Sequence, residues 1–374
     1  MNITRLLTSL LFLFSVQLLM LPDALADTVA PTDHSIDVNM SITKGTASTV
    51  NIWSRESGGY DSTNAGRWGL NYWACTSSTI DENGKCPTGK GGYAANLPVY
   101  LKFTEKRSGA TQTLELQGTR EAYWYNGSCA KYGDPKPMNQ SAQNSCGSDL
   151  TDGVDLTLKI PAAQLNMLPT GGIWTAQLKI LLHNSSGTEV YHWDSNITVD
   201  VNDPNNQQIY LPEFGEAAPR VDLNMRPLPG TGGNQTQMNG AATIDMCLYD
   251  GYGSNSTSFT LKFDDQQQGT KERNNAYFSI YSDQGDVNQD SGRIDYYVRM
   301  QAPDGKYMSM IRGEDVVIPD IQTAHIRPVH LPGIPQAVLC VPAPLQLSTK
   351  TVDINSKQAG HYTGHLIVNF TPQL

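Results

Sequence analysis

Apolar side chains at every second position, in run after run separated by turn residues, constrain this chain more than any other feature. Val99, Leu101 and Phe103 alternate with polar neighbours, as do Leu114 and Leu116, Leu156, Leu158 and Ile160, and Trp174, Ala176, Leu178 and Ile180. Ile197, Val199 and Val201 continue the pattern, and it returns in Phe259, Leu261 and Phe263, in Tyr277 to Tyr281, and in Ile294, Tyr296, Val298 and Met300. The chain closes on Leu366, Val368 and Phe370. A period of two is that of a strand with one buried face. With 374 residues, of which only 17% are charged, and with 33 Gly and 21 Pro, the chain reads as all-β and as long enough for two sandwich domains.

The first 26 residues read as a secretory signal peptide. Arg5 gives a positive start, Leu6 to Leu21 a mostly apolar core, and Ala24-Leu25-Ala26 a small-x-small cleavage site ahead of Asp27. The alternative is an uncleaved anchor, which Pro22-Asp23 and the Ala-x-Ala disfavour. No later run approaches the ~20 apolar residues of a spanning helix. The formal charge of −10 argues against nucleic acid or an anionic membrane surface as partner, because both require a basic stripe.

Six cysteines, an even number, suit an oxidising compartment. Counting alone leaves about 15 connectivities open. Spacing and the two-domain reading together favour Cys75–Cys86, Cys129–Cys146 and Cys247–Cys340. Zinc is not expected, since no Cys-x2-Cys pair exists.

Ile36, Val38, Met40 and Ile42 form the first alternating run, read as an ordinary first strand of the leading domain, with a donor strand for a neighbouring subunit as the alternative. Between Ser54 and Gly92 the chain is rich in turns, and Trp68, Tyr72 and Trp73 stand among them. Exposed aromatics there would suit stacking on sugar rings; otherwise they fill the sandwich end. Pro161 to Leu168 is expected to form one short helical turn. Past residue 209, Val221, Leu223 and Met225 and then Ile244, Met246 and Leu248 read as two half-buried strands.

That second half also carries a resemblance. Leu211-Pro212-Glu213-Phe214, Arg220-Val221-Asp222-Leu223-Asn224-Met225-Arg226-Pro227 and Met246-Cys247-Leu248-Tyr249-Asp250-Gly251-Tyr252 resemble the tip adhesins of class 5 (colonization-factor type) fimbriae, also called the pilus biogenesis initiator family. Leu101 to Ser108, Ile160-Pro161-Ala162, Leu168-Pro169, Gly171-Gly172-Ile173-Trp174, Val338-Leu339-Cys340 and Ala359 to Gly364 continue the likeness in the family's order. The resemblance implies two immunoglobulin-like β-sandwich domains in tandem: an adhesin domain at 27–207 and a pilin domain at 208–374. In that family the pilin domain lacks its last strand. Gly360-x-Tyr362-x-Gly364 before the terminal run resembles the C-terminal signature of such pilins; the rival is a complete sandwich ending in an ordinary edge strand. The implied groove, lined by Val221, Leu223, Met225, Leu366, Val368 and Phe370, would take a donor strand from the major fimbrial subunit. The implied partners are that subunit, a periplasmic chaperone and an outer-membrane usher, on a route through the periplasm to the fimbrial tip at the bacterial surface.

The receptor site is where this sequence departs from the family. Leu178-Lys179 continues as Ile180 to Gly187 without the family's arginines, and ahead of Cys75 the nearest arginine is Arg67. The candidate receptor-binding residues for a host-surface glycan or glycoprotein are therefore Arg55, Arg67, Trp68, His183 and Asn184. The sequence offers no Gly-x-Ser-x-Gly, His-Glu-x-x-His or phosphate loop. Asp286-x-Asn288-x-Asp290 reads as a polar turn, because Gly292 and Tyr297 are wrong for a calcium loop. The expectation is a non-enzymatic, cofactor-free, metal-free adhesin. The alternatives are a structural initiator without its own receptor and, further off, an exported carbohydrate-active enzyme, which would need a facing carboxylate pair.

Overall fold

The structure, a computed structural model, describes residues 28–64, 66–91, 98–124, 133–141, 150–229 and 237–374. The leading half contains β1 (Thr28–Val29), β2 (His34–Thr43), β3 (Val50–Asp61), β4 (Tyr72–Cys75), β5 (Pro98–Glu105), β6 (Thr111–Tyr123), β7 (Lys136–Pro137), β8 (Gly153–Ile160), β9 (Gly172–His183) and β10 (Val190–Asn202). Their order is β1-β3-β8-β6-β5-β9-β10-β2, with β4 on β9 and β7 on β6. β5 and β9 share only Thr104↔Thr175 and Glu105↔Trp174. The sheet folds over at that narrow link, so side chains of both halves, among them Trp53, Leu101, Leu158, Trp174 and Trp193, meet in one core. The run at Ile36 to Ile42 lies in β2, which pairs with β10 in parallel within its own domain. Pro161 to Leu168 holds a one-turn helix, Ala162–Leu165. Cys75 and Cys86 are bonded; Cys129 and Cys146 lie outside the described residues.

The second half is a sandwich of a three-stranded sheet over a larger one. The former orders Asp315–Pro319, Ser258–Asp265 and Leu366–Gln373; the latter orders Ala241–Ile244, Leu345–Thr349, Arg293–Gln301, Phe278–Ser282 and Tyr362–Thr363, with Tyr307–Ser309 paired to Arg293–Gln301. Phe259, Leu261, Phe263, Phe278, Val298 and Met300 fill the space between. A smaller sheet joins Gln208–Tyr210, Cys247–Tyr249, Val338–Pro342 and Arg327–Val329, and the Cys247–Cys340 bond spans 93 residues within it. Closing a loop of that size contributes about 4–5 kcal/mol in the chain-entropy model.

Two expected strands are corrected. Val221 to Met225 forms no strand: Asn224 takes φ +51°, and its N–H donates to Asp222 Oδ1 at 2.8 Å, so a local turn wins over the ladder. Ile244 to Leu248 is broken as well, Ala241–Ile244 pairing with Leu345–Thr349 and Cys247–Tyr249 with the small sheet. Alternation alone does not report such a change of sheet. The glycine at 364 marks another: between Tyr362–Thr363 and Leu366–Gln373 the chain crosses sheets, and a β-carbon at Gly364 would lie 2.8 Å from the Ser279 carbonyl oxygen.

The halves meet where the β5–β6 turn touches the second sandwich. Arg107 donates to Ile321 O at 3.0 Å, to Ala324 O at 2.7 Å and to Ser254 O. Ser254 and Asp320 both carry left-handed φ of 59°, which turns their loops toward the guanidinium. Gly171 lies so close that a β-carbon would sit 1.7 Å from Gly251 O. Burial pulls the Arg107 pKa down, and Asp250 and Glu105 act against that pull. Arg107→Ala should weaken docking of the two domains by about 2–4 kcal/mol, since hydrogen bonds to a charged group are worth ~1.5–3 kcal/mol. Calorimetry should then resolve two separate transitions where the parent shows coupled ones; an unchanged trace would deny Arg107 this role.

Candidate functional site

Strand direction identifies the end of the leading domain that faces away from this junction. β9 starts at Gly172 beside the second domain and reaches His183 eleven residues later, roughly 36 Å at ~3.3 Å per residue. β6 runs the same way, from the junction turn to Tyr123, where it meets Gly153, and Tyr60 on β3 also pairs with Gly153. The 62–71 loop, the β3 and β6 ends and the 183–190 hairpin therefore share one distal pole.

Asp61 organises that pole. Its Oδ1 accepts from Thr63 Oγ1 at 2.7 Å and from the Thr63 and Asn64 amides at 3.0 Å each, and its Oδ2 accepts from Arg67 Nη1 at 3.1 Å. The Thr63 hydroxyl, then Arg67 and the two amides, hold the carboxyl down to about 2 against the opposing effect of burial. The Arg67 guanidinium lies 4.3 Å from the centroid of the Trp68 ring, and its side chain is 52% exposed. Trp68, Tyr72 and Trp73 are buried, so they fill the sandwich end and do not form an open stacking platform. His183 stacks on Tyr72 with centroids 5.1 Å apart and planes at 14°; burial lowers its pKa, which keeps the imidazole neutral near pH 7. Asn184 spends its side chain on its own turn, accepting from Thr188 N at 2.9 Å and donating to Thr188 Oγ1 at 3.0 Å.

Arg67, Trp68, His183 and Asn184 thus share the pole, while Arg55 stands apart. It occupies a bulge of β3 with φ +52°, its N–H donates to Thr157 Oγ1 at 3.2 Å, and its Nε donates to Glu121 Oε2 at 2.9 Å. Thr157 is four residues down β8 from the Gly153 end, roughly 13 Å. One residue escaped the sequence reading. Arg120 is fully buried beneath the 62–71 loop, donating to Asn71 O at 2.8 Å and to Gly69 O, and burial brings its pKa down to about 10. Its signal was available: Arg120 falls on the inward parity of Leu114, Leu116 and Gly118.

The second region is the chain's last strand. Leu366–Gln373 pairs along its whole length with Ser258–Asp265, from Leu366↔Asp265 to Gln373↔Ser258. Its other edge has no ladder partner among the described residues. Leu366, Val368 and Phe370 turn toward the core yet stay only half-buried, and Val221, Leu223 and Met225 are half-buried as well. Phe370 meets Phe259 edge-to-face with centroids 4.9 Å apart. An unpaired strand edge with an apolar inward face has backbone groups free to pair with an added strand.

A family model for the second domain of CfaE, a CFA/I fimbrial protein, matches residues 207–374, and the model for the first domain of CfaE matches residues 23–204. The chain belongs to the CfaE family of CFA/I fimbrial proteins. The class 5 resemblance drawn from its residues therefore holds. The CFA/I fimbrial protein CfaE of Escherichia coli is 34% identical over 309 residues, covering 80% of this chain and 79% of that protein. The crystal structure of CfaE, the adhesive subunit of the CFA/I fimbria of enterotoxigenic Escherichia coli, superposes with a TM-score of 0.76 at 30% identity over 92% of this chain and 94% of that one. A chaperone–tip adhesin complex from CFA/I fimbriae biogenesis gives a TM-score of 0.67 at 29% identity over 93% and 98% of the two chains. The two-domain, nearly all-β architecture is that of CfaE.

The depressed Asp61 carboxyl sets an acid limit for this pole. A lowered folded-state pKa contributes stability that is present above the ordinary carboxylate value near 4 and is lost as pH falls toward about 2. Between pH 4 and 2 the 62–71 loop should become sensitive to proteolysis, and Asp61→Asn should show that sensitivity already at pH 7. Equal cleavage of both proteins across this range would remove Asp61 as the organiser.

Proposed function

We propose that this chain is the adhesive component at the tip of a fimbrium, exported through the periplasm to the bacterial surface. Its leading domain, about 27–207, binds a host-surface glycan or glycoprotein through the distal pole. Its second domain, about 208–374, takes a donor strand from the major fimbrial subunit and so starts fibre assembly. A periplasmic chaperone holds the open edge until an outer-membrane usher receives the protein. The observation that carries this reading is the terminal strand, one of whose ladders is unfilled among the described residues, since a domain built so stays sticky until another chain completes it. Family membership over both domains supports it, as do the relatives' descriptions as an adhesive subunit and as a tip adhesin bound to a chaperone. Recognition would be non-covalent and need no cofactor. Arg67 is the foremost contact, because its guanidinium is half-exposed yet fixed by Asp61 and Trp68.

A second reading, a structural initiator without a receptor, is favoured by the lack of arginine from Ile180 to Gly187. Two measurements separate them. Expressed without a chaperone, the protein should aggregate, whereas a fusion carrying the major subunit's N-terminal extension after Leu374 should be a soluble monomer; equal solubility would reject the open edge. In that fusion, Arg67→Ala should weaken adhesion to epithelial cells about tenfold, or ~1.4 kcal/mol, with fibre length unchanged. Failure of the parent fusion to bind any host cell or glycan would favour the structural initiator.

A further inference from the structure

The short segment that carries Arg67 is gripped from beneath by one side chain. Arg120 sits well inside β6, its backbone laddered to Leu156 of β8 on one side and to Lys136 of β7 on the other. Its side chain is fully buried and crosses to the 66–71 segment, where Nε donates to Asn71 O at 2.8 Å and Nη2 donates to Gly69 O. The Asn71 amide in turn donates to Trp68 O at 3.0 Å. The Trp68 ring is the floor on which the Arg67 guanidinium lies, 4.3 Å from the centroid. A line of contacts therefore runs from a central strand, through Asn71 and Trp68, to the half-exposed guanidinium. Ser141 adds to the grip, its hydroxyl donating to Leu70 O at 2.6 Å, and the Gly66 amide donates to Thr151 O at 2.8 Å.

Taking a guanidinium out of water is costly. No carboxylate among the described residues pairs with Arg120, and burial brings its pKa down to about 10. If the segment needed only filling beneath it, an unbranched apolar side chain would serve without that cost. What the guanidinium supplies is a planar fork that reaches two carbonyls at once. Neither an apolar chain nor the point charge of a lysine does that.

We propose that Arg120 is the positioning residue of the receptor site: by clamping the Gly69 and Asn71 carbonyls it sets the place of Trp68, and through Trp68 that of Arg67, without itself meeting the ligand. The proposal rests on the distal pole being the receptor-binding surface and on Arg67 being its foremost contact. Asp61 then holds the Arg67 guanidinium from the side, while Arg120 holds the backbone that brings it there. Without the clamp, the cost of ordering the arginine falls on binding.

The test uses the full chain fused to the donor extension, titrated onto cultured epithelial cells, with the thermal transition of the leading domain followed in parallel. Arg120→Met keeps the volume and removes the fork; Arg120→Lys keeps the charge and removes the fork. Each should raise the half-saturating concentration about tenfold, as Arg67→Ala does, while the transition stays where it is. Placed in the Arg67→Ala background, Arg120→Met should add less than about twofold, because it acts only through Arg67. Parent-like binding by either variant overturns the proposal and leaves the receptor reading standing. A double variant whose losses multiply overturns it too, since a merely structural Arg120 would weaken binding with or without Arg67. Should neither Arg120 variant fold, Ser141→Ala decides, because it frees Leu70 O alone. A loss of binding that disappears in the Arg67→Ala background upholds the grip; no loss, or equal loss in both backgrounds, overturns it. If the parent binds no cells, the receptor reading falls and takes the proposal with it; if Arg67→Ala binds as the parent does, only Arg67 and its positioning are removed.

Discussion

Among the described residues the last strand has backbone partners on one side only, and the character of the second domain's edge follows from that asymmetry. Leu366–Gln373 is fully laddered to Ser258–Asp265, so the strand is well formed, yet its outer N–H and C=O groups find no strand among the described residues. Its inward side chains are half-buried where those of Ser258–Asp265 are buried. The domain is held together without a further strand by other means. The Cys247–Cys340 bond closes the small sheet, and Arg273 and Asp265, both almost wholly buried, pair at the end of Ser258–Asp265 opposite Leu366. Such a pair adds little net stability, but losing one partner would strand a buried charge. Register at the open edge is thereby defended from within.

The other interaction of consequence lies between the domains. Three carbonyls from two loops of the second sandwich converge on one guanidinium of the first, and Gly171 and Gly251 touch backbone to backbone. This junction fixes where the poles point. Because β6 and β9 leave it in the same direction, the loop held by Asp61 and the 183–190 hairpin come together roughly 36 Å away. The distal pole and the open-edged last strand therefore lie on different domains.

Much of the architecture is legible in the chain itself, because alternation, turn residues and cysteine count act locally. The runs at Val99, Leu156, Trp174, Phe259 and Ile294 are all strands with the inward parity expected of them. The candidate site was legible only in part. Arg67 and His183 do share a pole, but Trp68 is a buried support for the arginine, and Arg55 is taken up by Glu121. The inward parity of Arg120 marks it as buried, but its two carbonyl partners come from a loop some fifty residues earlier, which no local pattern shows.

The sequence by itself determined that this chain is built of half-buried strands, that its end is an alternating strand, and to which family it belongs. These follow from side-chain period and from ordered motifs, both properties of neighbours in the chain. Only the tertiary structure decided that Val221 to Met225 turns at Asn224, that Ile244 and Leu248 serve different sheets, and that Asp61, Arg67 and the β1 segment meet at one pole. Those outcomes depend on which backbone groups find partners across long separations, a competition that no local pattern records.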